Sequence, residues 1–145
     1  MASEDCNCFV VRAAARHISQ LYDQFLAPTG LRTSQFSILA KLKLRGPVTI
    51  KVLAEDMVMD RTTLGRNILP LERDGLIRIE AASDDRRAKE LHLTKAGAKR
   101  LEAARKGWSA AQARFETALG TERAAELRQL LKAVVANEFH AADGR

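Results

Sequence analysis

Basic, hydroxyl and amide side chains recur at short spacings between residues 61 and 89, and their chemistry suits the binding of an anion. A guanidinium group offers a planar fork of N–H donors that can bind a phosphate or a base edge, and a hydroxyl adds one donor and two acceptor sites. A solvated helix face is the alternative interpretation of such residues. The candidates are Arg61, Thr62, Thr63, Arg66, Asn67, Arg73, Asp85, Arg86, Arg87 and Lys89.

The charge of the whole chain is concentrated in the same region. The 145 residues carry a formal net charge of +6. Residues 61–106 contain 12 Lys/Arg and 7 Asp/Glu, so this third of the chain supplies +5 of that total. A surface that binds the phosphates of a nucleic acid needs such a local excess of positive charge.

The pattern around these residues predicts a helix that presents them on one side. Asp60 is a suitable N-cap, because its carboxylate can accept the free N–H groups of the following turn. Leu64, Ile68 and Leu71 are spaced by four and three residues and form a buried side. The opposite side carries Thr62, Arg66 and Arg73, flanked by Thr63, Leu69 and Pro70.

The elements on either side of this helix complete a recognisable unit. Thr49 can cap a short helix after a minimal strand at Val48, and alternating residues predict strands over 76–80 and 89–93. The charged segment 81–87 between these strands is the tip of a hairpin. This order predicts a mainly α (α+β) fold with a winged helix-turn-helix lobe that reads DNA.

Long amphipathic helices flank the lobe. We expect one over 8–26, a second that is capped by Thr33 or Ser34 and ends at Gly46-Pro47, a long one capped by Thr94, and a last one capped by Thr121. These helices carry more apolar surface than one small lobe can cover. A second copy related by a two-fold axis would cover it, whereas a monomer with a closed helical layer is the alternative.

Cys6 and Cys8 are the two cysteines of the chain, and they permit a redox or metal-binding interpretation. A disulfide between residues so close in sequence would be strained, and His17, His92 and His140 are scattered. We therefore predict no metal and no cofactor. Partial burial of an N-terminal cysteine at a dimer interface is the simpler interpretation.

Other classes of protein are disfavoured. The sequence contains no phosphate loop, dinucleotide fingerprint, zinc-protease motif or plausible Ser/His/Asp set, so we do not predict an enzyme. No apolar run approaches the roughly 18 to 20 residues of a membrane span, and the acidic N-terminus lacks a signal peptide. These observations predict a cytoplasmic protein that does not contact a membrane.

The order of motifs resembles the MarR family of transcriptional regulators. The resemblance rests on LRTSQFSIL from Leu31, on LAEDMVMDRTTLGRNILPLERDGLI from Leu53, and on the wing DDRRAKELHLTKAG. Within the wing, Asp85-x-Arg87 followed by Leu91-x-Leu93-Thr94-x-x-Gly97 has the spacing of the family pattern. It implies one MarR-type domain over 1–145, with dimerisation helices at 1–30 and 94–145, a lobe at 31–93 and a wing at 81–89.

The resemblance also implies how the protein acts. In such a homodimer each recognition helix enters a major groove of a pseudo-palindromic site in double-stranded DNA, and each wing tip enters the flanking minor groove. Arg66 would reach a guanine, Thr62 and Thr63 would contact bases or thymine methyl groups, and Arg61 would join the helix N-terminus in binding a phosphate. Arg87 would enter the minor groove with Asp85 as its bidentate partner, while Arg86 and Lys89 would bind phosphates.

Regulation by a small molecule is a further implication of the resemblance. We expect a repressor released by a phenolic or aromatic ligand, in a pocket where the dimerisation helices meet the lobe. The candidates by position are Arg12, Arg16, His17, Tyr22 and Phe36. The alternatives are a thiol- or metal-responsive regulator that uses Cys6 and Cys8, a DNA-binding protein without an effector, and a helical protein-interaction adaptor that does not bind DNA.

Two residues of the recognition helix depart from the expected pattern. Gly65 stands where Ser or Thr is common in the family, and glycine inside a helix destabilises it by up to about 1 kcal/mol relative to alanine. Close approach to the DNA backbone would explain it. Pro70 removes one backbone hydrogen bond and can kink the helix, which disfavours groove contacts from Arg73.

Overall fold

The computed structural model describes residues 3–139 and combines long helices with a small antiparallel sheet. The helices are α1 (Asn7–Leu26), α2 (Thr33–Arg45), α3 (Ile50–Met57), α4 (Arg61–Arg73), α5 (Lys95–Leu119) and α6 (Thr121–Ala136). The strands are β1 (Val48–Thr49), β2 (Ile77–Ala81) and β3 (Lys89–Leu93). Short 3-10 turns occupy Ser3–Asp5 and Ala27–Thr29.

The sheet is built around β3, which pairs antiparallel with both other strands. Val48 of β1 lies opposite Leu91, and Ile77 of β2 lies opposite Leu93. Helices α3 and α4 stand between the minimal strand and the β2–β3 hairpin in the chain. The predicted winged helix-turn-helix fold is therefore confirmed.

One apolar core joins the lobe to the flanking helices. Leu64, Ile68 and Leu71 of α4 are buried, as their spacing predicts, and they share a cluster with Leu26 of α1 and Leu101 of α5. Because these side chains belong to a continuous core, α4 is held in a fixed orientation relative to α5.

Two glycines allow α5 to approach its neighbours at backbone distance. A Cβ atom added at Gly97 would lie 2.0 Å from the carbonyl oxygen of Leu76, and one at Gly107 would lie 2.4 Å from that of Phe25. Real side chains do not tolerate such distances. The absence of a side chain at these positions is therefore a packing requirement.

Three predicted boundaries were wrong for local reasons. Arg32, not Thr33 or Ser34, is the N-cap of α2, because its N–H donates to Oε1 of Gln35 at 3.0 Å. Gly120, not Thr121, precedes α6, because the chain there has φ 102°, which threonine rarely adopts.

The third boundary is the start of β2. This strand begins at Ile77 rather than Leu76. The N–H of Leu76 donates to the carbonyl of Leu71 at 2.9 Å and so closes the end of α4 instead of joining the sheet.

Apolar side chains remain exposed at the start of α1, along α6 and just after its end. Those at least 45% exposed are Phe9, Val10, Val11, Leu130, Val134, Val135 and Phe139. Ala124 is the buried residue of α6. Within residues 3–139 no helix is both long and apolar enough to cross a membrane.

Candidate nucleic-acid interface

Helix α4 has four distinct sides, and each has a different environment. The buried side faces the core, and the opposite side is exposed, with Leu69 64% accessible. The exposed side carries Thr62, Arg66, Leu69 and Arg73. The structure thus places Thr62, Arg66 and Arg73, three of the predicted site residues, on one outward surface.

The N-terminus of α4 is closed by its own cap. Oδ1 of Asp60 accepts the N–H of Thr63 at 2.7 Å, and Oδ2 accepts the Thr63 hydroxyl at 2.9 Å. The hydrogen bond from the Thr63 backbone is the main cause that lowers the pKa of Asp60. One N–H of this helix end is thus already engaged within the protein, while Arg61 beside it is exposed.

One flank of α4, between its buried and exposed sides, is bound to α2. The side-chain amide of Asn67 donates to the carbonyl of Thr63 at 2.9 Å, and its Oδ1 accepts the hydroxyl of Ser34 at 2.9 Å. Thr63 and Asn67, both predicted to contact DNA, thus already have partners within the protein. Their hydrogen bonds fix the orientation of α4.

Helix α4 continues through Pro70 to Arg73. The carbonyl of Pro70 accepts the N–H of Asp74 at 3.0 Å, so the last turn is closed. Arg73 lies 3.5 Å from the carboxylate of Asp74, and its side chain is 75% exposed. Such an exposed ion pair is weak, so Arg73 is free to change partners.

The wing tip is shaped by Asp85, but by a different contact from the one expected. Oδ1 of Asp85 accepts the backbone N–H of Arg87 at 2.9 Å, and its carbonyl accepts the N–H of Ala88 at 3.1 Å. No ion pair joins the carboxylate to the Arg87 guanidinium within the described wing. The predicted bidentate pair is thus wrong for this structure, and both Arg86 and Arg87 project exposed side chains.

The remaining flank of α4 faces the wing across a groove, which we call the wing groove. Its volume is about 680 Å³. The residues that line it are Thr49, Ile50, Lys51, Arg61, Gly65, Asp84, Asp85, Arg87, Ala88 and Lys89. Lys51 was missed by the sequence prediction, although Thr49 as the cap of α3 places it in the first helical turn, where a cation can face the groove.

The five effector candidates do not share one cavity. His17 faces a groove between α1 and α5, and Arg12 faces an apolar one near the end of α6. The hydroxyl of Tyr22 donates to Oε1 of Gln112, and burial, followed by the charge of Glu116, raises the pKa of Tyr22. Arg16 is exposed on α1.

Phe36 lies in another cavity, at the junction of α2 and α5. Its ring stacks on Trp108 with 6.2 Å between ring centroids. The cavity has a volume of about 330 Å³ and is lined by Phe36, Ser37, Ala40, Lys41, Leu44, Arg105 and Trp108. This cavity lies between the lobe and a flanking helix, and Phe36 is the one effector candidate among its lining residues.

Cys6 and Cys8 are both free thiols at the start of α1. Sγ of Cys6 is the N-cap and accepts the N–H of Phe9 at 3.5 Å, while Cys8 is exposed. Across residues 3–139, no group of three His, Cys, Asp or Glu side chains is arranged to hold a metal ion. His140 lies outside the described residues.

Comparisons with known proteins agree with this geometry. The sequence profile of the MarR family matches residues 31–89. The transcriptional regulator MosR of Mycobacterium tuberculosis, crystallised in complex with DNA, is 36% identical, with 91% of this chain and 98% of that chain covered and a TM-score of 0.78.

Two curated relatives come from Bacillus subtilis. The HTH-type transcriptional regulator YwoH is 33% identical over 92 residues, which is 63% of this chain and 66% of that protein. The organic hydroperoxide resistance transcriptional regulator is 28% identical over 98 residues, 68% of this chain and 67% of that protein. The chain thus matches about two thirds of the length of these relatives.

These relatives are transcriptional regulators rather than enzymes, and they favour DNA binding over the alternative of a helical adaptor. The full-length match with MosR and the profile match over the lobe and wing lead to one assignment. The chain belongs to the MarR family of DNA-binding transcriptional regulators.

Proposed function

We propose that the protein is a homodimeric repressor that binds a pseudo-palindromic DNA site and leaves it when a small aromatic acid binds. The observation that carries the DNA-binding part is the exposed outward side of α4, on which Thr62 and Arg66 are both exposed. Arg66 is long enough to reach a guanine edge, and Thr62 can contact a base or a thymine methyl group. Arg87 at the wing tip enters the flanking minor groove, where a guanidinium group is attracted by the negative potential.

Dimerisation is supported by the exposed apolar residues of α1 and α6. Leu130 is 66% exposed and Val135 is 62% exposed, although both are large aliphatic residues. A second copy would cover this surface and would place two recognition helices on one face of the duplex. Sedimentation at micromolar concentration tests this part, and a monomer would contradict it.

The cavity between α2 and α5 is the proposed effector site. The stacked rings of Phe36 and Trp108 offer an aromatic surface, and Lys41 and Arg105 supply cations that can bind a carboxylate. A ligand there would contact the lobe through α2 and the dimerisation part through α5. It can therefore bias the separation of the two recognition helices.

Trp108 is the single tryptophan of the chain, so its fluorescence reports on this cavity directly. We expect salicylate to quench it with a saturable curve and to release the protein from a duplex selected from random sequences. Arg105→Gln should weaken both effects, and the exposed Arg123→Gln on α6 is the matched control. A fluorescence signal that salicylate does not change, together with unaltered DNA binding, would contradict the effector assignment.

Thiol oxidation is a second candidate signal. It is favoured by the position of Cys6 at the helix cap and by the similarity of the chain to the organic hydroperoxide resistance transcriptional regulator of Bacillus subtilis. A Cys6 thiolate that attacks a hydroperoxide would become a sulfenic acid and release an alcohol. Condensation with the Cys8 thiol would then form a disulfide and release water. Because both residues belong to the start of α1, this bond would require the first turn to unwind.

Cys6→Ser separates the two roles of this residue, because serine keeps an N-cap acceptor while it removes the thiol. We expect wild-type DNA binding to fall with cumene hydroperoxide and to recover with dithiothreitol, and Cys6→Ser to bind DNA regardless of peroxide. Equal peroxide sensitivity of both proteins would exclude Cys6 as the sensor.

A further inference from the structure

We propose that the wing groove holds the sugar–phosphate backbone of one DNA strand, with Gly65 as its steric gap and Lys51 as an additional phosphate-binding residue. The inference rests on the DNA binding assigned above and adds two residues to it. The sequence led us to expect close approach of the DNA backbone at Gly65, whereas Lys51 has no role assigned above.

Gly65 is not required by the fold of the protein. It lies in the interior of α4, its backbone does not adopt a positive φ, and a Cβ atom added to it would meet nothing within 4 Å. Glycine in a helix interior destabilises the helix relative to alanine. Its presence is therefore explained by a partner outside the chain that approaches the helix backbone.

The other helical glycines have a different environment. Gly97 and Gly107 each face a carbonyl oxygen closer than 2.5 Å to an added Cβ atom, so they are needed for packing inside the protein. Gly65 instead opens onto the wing groove. Among these three helical glycines, Gly65 is therefore the one whose open side faces solvent rather than the protein interior.

The charges of the wing groove fit an anionic strand. Lys51, Arg61, Arg87 and Lys89 line it, and in the part of the chain that the structure describes none of these four cations forms an ion pair. Two aspartates of the wing tip also line the groove. One of them, Asp85, is engaged by the backbone N–H of Arg87. The net positive surface binds phosphate groups rather than a cation.

The position of the groove favours a strand of duplex DNA as the occupant. A phosphate backbone separates the major groove from the minor groove, so a strand must cross between an α4 in the former and a wing in the latter. The groove lies between these two elements. The absent side chain at Gly65 lets the strand pass close to α4, and the ammonium group of Lys51 is on the same side to bind a phosphate.

Substitution of Gly65 gives opposite effects on stability and on binding. We expect Gly65→Ala to raise the melting temperature by about 2 to 4 °C and to weaken binding to the selected duplex by about fivefold or more. Gly65→Leu should weaken binding further. Gly107→Ala is the contrasting control, because its clash with Phe25 should lower the melting temperature. Duplex binding that Gly65→Ala leaves unchanged would overturn the role of Gly65.

Lys51 is tested by the salt dependence of binding. We expect Lys51→Gln to reduce the slope of log affinity against log salt by about 1.8 on both the selected and an unrelated duplex, because each protomer of the dimer loses one phosphate contact. Lys106→Gln, at an exposed lysine of α5, should leave the slope unchanged. A wild-type slope for Lys51→Gln with a reduced slope for Arg87→Ala would reject only the Lys51 contact. Failure of the wild-type protein to bind any duplex would reject the proposed function itself.

Discussion

The hydroxyl of Ser34 donates a hydrogen bond of 2.9 Å to Oδ1 of Asn67 and so joins the first turn of α2 to the middle of α4. The amide of Asn67 also donates to the carbonyl of Thr63, whose hydroxyl and N–H bind Asp60. A continuous chain of hydrogen bonds therefore runs from α2 to the start of the recognition helix. It holds α4 along the flank opposite the wing groove.

Removal of the Ser34 hydroxyl should loosen this connection. We expect Ser34→Ala to lower the free energy of unfolding by about 0.5 to 1.5 kcal/mol, the typical contribution of one hydrogen bond, and to weaken DNA binding modestly. Urea unfolding measures the first effect. Ser37→Ala is a matched control, because the Ser37 hydroxyl bonds to the Thr33 carbonyl of its own helix. Equal losses for both variants would argue against a special role for Ser34.

The wing tip should contribute through Arg87. We expect Arg87→Ala to cost about 1 to 3 kcal/mol of binding free energy on the selected duplex, and Arg86→Ala to cost less. Asp85→Ala should also weaken binding, because the Arg87 N–H would lose its acceptor and the tip its shape. Fluorescence anisotropy of a labelled duplex measures these changes. An Arg87→Ala protein with wild-type affinity would remove Arg87 from the interface.

Val58 is strained at the turn between α3 and α4. It has φ 53° and ψ 46°, a left-handed conformation in which a β-branched residue is crowded, and its side chain is 69% exposed. We expect Val58→Gly to raise the free energy of unfolding by about 1 kcal/mol, because relief of this crowding outweighs the greater freedom of glycine in the unfolded chain. Val58→Ala should be intermediate. A lower melting temperature for Val58→Gly would show that the exposed isopropyl group is needed.

The cap at Asp60 predicts a particular pH dependence. Its folded pKa is lowered, chiefly by the hydrogen bond from the Thr63 backbone, so its contribution to stability is present at neutral pH and is lost as the pH falls through that pKa. Asp60→Asn keeps an acceptor but no charge. We expect its melting temperature to fall less steeply than that of the wild type below pH about 4. Superimposable profiles for the two proteins would contradict this assignment.

Much of the lobe could be predicted from spacing alone. The caps at Thr49, Asp60 and Thr94 and the buried side of α4 appear in the structure as the sequence indicated. Each depends on residues a few positions apart, so the sequence contains the necessary information. The strands and the hairpin were equally local features.

Where the prediction and the structure differ, the cause is either a contact between distant segments or a choice between local partners. The start of α2 is fixed by Gln35 and by Asp23, which accepts the Thr33 N–H at 2.7 Å, and spacing could not anticipate the second contact. Four of the five effector candidates lie on α1, whereas the fifth, Phe36 of α2, meets Trp108, which is 72 positions away in the chain. Asp85 binds a backbone group rather than a side chain, a choice that the residue types leave open.

The contact of Gly107 with Phe25 has a mechanical consequence. The backbones of α1 and α5 meet there without an intervening side chain. The two helices therefore cannot slide past each other easily and should move as one rigid unit. The thiols of Cys6 and Cys8 lie at one end of this unit, and Trp108 directly follows Gly107 in α5. Two chemically unrelated signals, an oxidant and an aromatic acid, would then drive the same displacement of the DNA-reading helices.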